Sequence, residues 1–208
     1  MAIVRAMSNA APSFVTPEEY LTLERAAETK SEYHDGRIVA MAGGTGPHSL
    51  LAVRWCSALQ RLAQGRGCWV FNSDMKVRVD ANNRYLYPDA SGLCGRPEYL
   101  DNARDVLVNP AFIIEVLSKS TEAYDRGRKL AIYMALPTVV EIALVSLVEL
   151  RVDKYTRQPD GIWRFDGWSG AESSVPFVSL GGAVALREVY EGIELEPLPP
   201  EPGSERIR

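Results

Sequence analysis

The sequence predicts an α/β fold in which a mixed β-sheet is flanked by helices. Three observations predict it. Three segments read as helices with caps or stops at their ends. Short runs rich in β-branched and aromatic residues lie between and after them. The stretch NPAFIIEVLSKST, Asn109 to Thr121, contains the continuous apolar run of a strand buried on both faces.

Taken in order, Thr16 caps a first helix. Pro17 fits its first position, and Glu18 and Glu19 suit the positive end of the helix dipole. This helix is expected to run to about Thr29. GRIVAMAG reads as a strand from Arg37 to Met41. Pro47-His48-Ser49 leads into a second helix, where Leu51, Trp55, Ala58, Leu59 and Leu62 recur at helical spacing and Gly65 is the stop. CWVFN and MKVRVD are short strands. In the second, Lys76 and Arg78 alternate with Val77 and Val79, which gives one basic face. Asn82-Asn83 marks a turn. RYLYPDASGLCG reads as one further strand, followed by NPAFIIEVLS. Thr121 to Leu136 is a third helix, capped by Ser120 or Thr121 and ended by Pro137. VVEIALVSL, LRVDKYTR and IWRFDGW are strands, with Pro159, Asp160 and Gly161 in the turn between the last two. Residues 14–195 form one expected domain, between a loose leader (1–13) and a Pro-rich tail (196–208).

The bulk properties exclude some functions. Hydrophobic residues make up 46% of the 208, enough for a sizeable core. The net charge of −4 argues against a protein that simply coats nucleic acid, though not against an enzyme with a local basic groove. Three cysteines are too few and too scattered for a disulfide framework or a zinc site. Cys56 and Cys68 read as ordinary buried small residues, and a reducing compartment is expected. No run approaches a membrane helix, and the N-terminus lacks the apolar core of a secretory signal, so a cytoplasmic protein is the default.

Glu115 interrupts the apolar run of its strand. A buried, unpaired carboxylate costs roughly several kcal/mol, so a cation, a proton or a metal must balance it. Asp89 follows the run YLYP, 26 residues earlier. Two carboxylates on neighbouring strands are the hard oxygen ligands that Mg²⁺ or Mn²⁺ takes. Asp125, Lys129 and Tyr133 recur at i, i+4, i+8 on the following helix. A helix packed back over the strand would aim Lys129 at the acids. Each residue also has a plainer role: Asp89 as a turn residue, Glu115 as the partner of Lys129 or Arg128, and Lys129 as the surface partner of Asp125.

These pieces resemble the PD-(D/E)-x-K nuclease superfamily and, more closely, its bacterial Uma-type family of restriction endonucleases. TPEEYL, SEYHDGRIVAMAG, GPHSLLAVR, YPDAS, NPAFIIEVLSKSTEAYDRGRKLAIY and VVEIALVS carry the resemblance, from Thr16 to Ser146. It implies a restriction-endonuclease-like core. It also implies that Asp89 and Glu115 bind a metal, with Glu32 of SEYHDG completing the acidic cluster. The superfamily's lysine, two residues after the second acid, is replaced here by Leu117; Lys129 matches the position the Uma-type family uses instead. Lys119 stands where the family has Pro and is a rival for the same role. His48 also matches a family position. Ala143 and Ser146 replace an expected Trp and Asp.

Together these lead to a metal-dependent endonuclease that hydrolyses DNA with Mg²⁺ or Mn²⁺ held by Asp89, Glu115 and Glu32. Lys129 would position the water or offset transition-state charge. The rivals are a catalytically inactive nuclease fold serving as a binding or assembly module, and a hydrolase of another phosphate ester. A DNA groove would draw on Lys76, Arg78, Lys119, Arg126 and Arg128. Cutting both strands from a single site would favour a homodimer.

Overall fold

The structure is a computed structural model that describes residues 14–118 and 122–197. Among them the elements run α1 (Pro17–Ala26), β1 (Ser31–His34), β2 (Arg37–Ala40), α2 (Gly46–Ala63), β3 (Cys68–Asn72), β4 (Lys76–Val79), β5 (Arg84–Leu86) and β6 (Ala90–Cys94). They continue with β7 (Val106–Leu107), β8 (Phe112–Val116), α3 (Glu122–Tyr124), a π-helical turn (Asp125–Lys129) and α4 (Leu130–Met134). The remainder is β9 (Glu141–Val145), β10 (Arg151–Arg157), β11 (Trp163–Ser169), β12 (Ser174–Phe177), β13 (Gly182–Ala185) and α5 (Leu186–Tyr190). No described helix is long and apolar enough to cross a membrane.

The α/β class is as expected. A six-stranded sheet has the order β11-β10-β9-β8-β6-β3. It is mixed, because β8 and β9 are parallel while the other pairs are antiparallel. A five-stranded sheet, β2-β1-β5-β4-β7, lies beside it. All five residues of β8 are buried, so the apolar run is a central strand. Its pleat divides the core. Phe112, Ile114 and Val116 pack with Leu51, Trp55 and Leu59 of α2. Ile113 packs with Leu130 and Tyr133 of α4 on the other face. Glu115 shares the parity of Ile113 and so faces the α4 side. Each fully buried Ile or Phe contributes roughly 1.5–3 kcal/mol, which is what allows one carboxylate to be carried inside this strand.

The caps read from the sequence are present. Thr16 and Glu19 form a reciprocal capping box on α1. The Thr45 hydroxyl accepts from His48 N–H at the start of α2. α1 ends at Ala26, short of Thr29. The cap expected from Ser120 or Thr121 lies outside the described residues, as do the leader and the tail from residue 198 onward. Glu196, expected in the loose tail, is tied down by its N–H to the Leu147 carbonyl at 2.8 Å.

Four details correct the sequence reading. RYLYPDASGLCG is not one strand: it breaks at Tyr87-Pro88-Asp89, and β5 and β6 belong to different sheets. Pro88 explains the break, since it supplies no N–H to continue a ladder. Ser31–His34 is itself a strand, paired to β2 through a turn in which Asp35 and Gly36 have φ of 46° and 90°. The third helix carries the π turn, in which Leu130 N–H bonds back to Asp125 O. Cys68 is not an isolated small residue: it faces Cys94 across the β3–β6 register and is disulfide-bonded to it, leaving Cys56 as the free cysteine.

Candidate active site at the junction of the two sheets

Asp89 sits where the chain crosses from the five-stranded to the six-stranded sheet. The register Ala90↔Ile114 places it beside the end of β8, and its Oδ2 accepts the Val116 N–H at 2.7 Å. Glu115 points from β8 toward the helix. Tyr133 donates to its Oε1 at 2.6 Å, and Lys129 Nζ lies 2.8 Å from the same oxygen. Lys129 and Tyr133 are one helical turn apart, so both reach one carboxylate. Lys129 Nζ also stands 3.5 Å from Glu32 Oε1 of β1. Glu32 is held by the Tyr87 N–H at 3.3 Å and by His34 Nε2 at 3.1 Å. His48 Nε2 lies 3.0 Å from the Val116 carbonyl and 3.6 Å from Asp89 Oδ2.

Within the described chain Lys129 brings Glu115 and Glu32 together, and Asp89 meets the end of the same strand β8 through the Val116 N–H. Lys119, the rival lysine, lies outside the described residues. Tyr133 was recognised only as a position on the helix face. Its spacing of four from Lys129 was the available signal for its hydroxyl contact. Glu32 precedes the Asp35-Gly36 turn, yet it is only 7% exposed. His34, two residues on along the same strand face, was not singled out, although that spacing was legible.

The electrostatics follow from burial and charge imbalance. Burial pushes the Glu115 carboxyl up to about 8; Lys129 opposes the shift, while Asp89 and Asp125 add to it. Burial opposes the charge on Lys129, yet Glu115, Glu32 and Asp125 hold its pKa well above that of a free lysine. Burial would also raise Glu32, but Lys129, His34 and the Tyr87 N–H outweigh it and keep the carboxyl below its ordinary value. One buried lysine thus faces several carboxylates, and Glu115 retains a proton into the neutral range.

Asp89 and Glu115 are the residues that could hold a divalent cation. The hydrogen bonds of the two acids engage Oδ2 of Asp89 and Oε1 of Glu115. Glu32 is not gathered with them, contrary to the three-ligand expectation. Among the described residues no three His, Cys, Asp or Glu side chains cluster closely enough to hold one ion. Mg²⁺ is commonly bound by only one or two carboxylates with waters and substrate phosphates, so two acids suffice.

The expected DNA groove does not assemble as read. Lys76 is buried, 2.9 Å from Asp105 and bonded to the Tyr87 hydroxyl. Arg78 pairs with Asp80, and Arg126 with Glu122 and Asp153. Of the described candidates only Arg128 borders the site, in a cavity it shares with Glu32.

A family model described as "Uma2: Putative restriction endonuclease" matches residues 17–184. The chain belongs to the Uma2 family. An uncharacterized protein of Synechocystis is 34% identical over 179 residues, 86% of this chain and 93% of that protein. A second from the same organism is 30% identical over 168 residues, 81% and 95% of the two chains. A crystal structure titled as a putative nuclease of the DUF820 group from Anabaena variabilis superposes with a TM-score of 0.68. It covers 85% of this chain and 97% of that one at 19% identity, which establishes the shared fold. The Uma2 match spans every site residue described above, from Glu32 to Tyr133.

Proposed function

We propose that this Uma2 chain is a metal-dependent endonuclease that hydrolyses phosphodiester bonds in DNA. One observation carries the reading: a buried lysine, Lys129, contacts Glu115 on a central strand whose end Asp89 grips through the Val116 N–H. Two acids on adjacent backbone segments with a lysine at their side are the components of a hydrolytic phosphate site.

A bound Mg²⁺ or Mn²⁺ would supply Lewis acidity and a water of lowered pKa. Asp89 and Glu115 would hold it through their outer oxygens. Tyr133 fixes the orientation of Glu115 by bonding to its inner oxygen. Lys129 stays charged and offers a cation to a phosphate oxygen. Glu32 positions Lys129 from the far side rather than joining the metal. Two-strand cleavage from one such site calls for a homodimer, which belongs to the same proposal, as does a cytoplasmic setting.

The inactive binding or assembly module is favoured by a different observation. Lys76, Arg78 and Arg126 are spent on intramolecular pairs rather than on a groove. Calorimetry with Mn²⁺ separates the two readings. Binding by the wild type and none by folded Asp89→Ala/Glu115→Ala, together with metal-dependent nicking of DNA by the wild type, supports the enzyme. A folded wild type that binds no metal even with DNA present leaves the binding module.

A further inference from the structure

Beside the carboxylates lies a cavity of about 590 Å³ bordered by Glu32, His34, Arg37, Arg84, Tyr124 and Arg128, among others. Its floor is one row of the five-stranded sheet. Register places Arg37 of β2 and Arg84 of β5 directly opposite His34 of β1, one on each side. The row sets one guanidinium on each side of the imidazole. The helix closes the cavity with Tyr124 and Arg128, one turn apart.

No hydrogen bond or ion pair engages the side chains of Arg37, Arg84 or Arg128 among the described residues, whereas Arg25, Arg66, Arg126, Arg151 and Arg157 are all engaged. Arg84 Nε and the Tyr124 hydroxyl are buried atoms without a hydrogen-bond partner among the described residues. Such orphaned donors are costly, and two of them border one cavity. Asp35, the other acid on the rim, is bonded to Asn83 at 3.2 Å. Glu32, the remaining acid, faces Lys129 and His34.

We propose that this cavity is a phosphate subsite that holds a backbone phosphate of single-stranded nucleic acid next to the one at Asp89 and Glu115. Guanidiniums suit phosphate oxygens, and the Tyr124 hydroxyl adds a neutral donor. The cationic surface is a pocket rather than a stripe. A single strand can thread its backbone into a pocket, while a rigid duplex presents its phosphates on a convex surface. The identity of the strand rests on the endonuclease reading; the anion site rests on the arginines.

The test is fluorescence anisotropy of a labelled single-stranded oligonucleotide with the full chain in EDTA. Arg84→Gln and Arg128→Gln are each expected to weaken binding about tenfold and to lower the salt dependence by about one counterion. Arg84→Lys should retain most of the affinity, and Arg104→Gln, away from the cavity, should retain all of it. Equal affinity in the Gln variants, equal loss in Arg104→Gln, or tighter binding of a matched duplex overturns the proposal. So does wild type that binds inorganic phosphate but no oligonucleotide. Arginine-dependent binding by a chain that never cuts with Mn²⁺ would remove the endonuclease reading and leave the subsite standing.

Discussion

Lys129 stands between two acids from different sheets, 2.8 Å from Glu115 of β8 and 3.5 Å from Glu32 of β1. Its ammonium joins the two sheets at the point where the backbone crosses from one to the other. Removing one member of a buried ion pair leaves an uncompensated charge, at a typical cost of about 3–5 kcal/mol. Lys129→Met should therefore lower stability by about that amount near pH 8. The loss should shrink near pH 5, where Glu115 can take a proton. Urea denaturation at the two pH values checks this; an equal loss at both would show that charge is not the cause.

Glu115 also predicts the pH dependence of the metal-free protein. Its folded pKa is raised to about 8 from an ordinary value of 4.5. The folded state then binds more protons between those values, so this group's contribution makes stability fall as pH rises from 4.5 to 8. Glu115→Gln should flatten the profile across that window. Mn²⁺ should oppose the fall, because a cation favours the ionised carboxylate.

Asp105 works in the opposite direction. Hydrogen bonds from Arg25 hold its carboxyl down to about 2, from an ordinary value of 3.8, with burial opposing and Lys76 assisting. The stabilisation is present above about pH 4 and is lost as pH falls toward 2. Asp105→Asn should remove that acid-side slope, measured by thermal melting between pH 5 and pH 2.

Glu141 and Lys154 form a second buried pair, 2.5 Å apart and far less exposed than most charged groups. Glu141 also accepts from the N–H groups of Val178 and Ser179, both at 2.9 Å. Lys154→Met should cost about 3–5 kcal/mol. Adding Glu141→Leu should not restore stability, because it orphans those two donors. Full recovery in the double variant would show that the pair, not the loop it anchors, sets the cost.

Gly92 lies in β6 between β3 and β8. A Cβ there would come within 2.1 Å of the Trp69 carbonyl and 2.4 Å of Phe112. Gly92→Ala should lower stability by about 1–3 kcal/mol through overpacking. Phe112→Leu combined with it should recover only part, since the Trp69 backbone cannot withdraw.

Local chemistry is what made this protein legible before its structure. Thr16, Pro17 and Glu19 specified a helix start, and continuous apolarity specified β8 as a central strand, because caps and burial patterns act over a few residues. The isolated acid in that strand, Asp89 after YLYP, and the four-residue spacing of Lys129 and Tyr133 singled out most of the site. What tertiary structure alone decided depends on contacts distant in sequence. Pro88 broke a predicted strand and sent its halves into separate sheets, and that crossing is what brings Glu32 to Lys129. Burial and pairing withdrew Lys76, Arg78 and Arg126 from the expected groove. Of the expected set Arg128 still borders the site, and two arginines the sequence did not single out join it: Arg37 and Arg84 are aligned by strand register, and the sequence pattern of neither strand specifies its neighbour across the sheet.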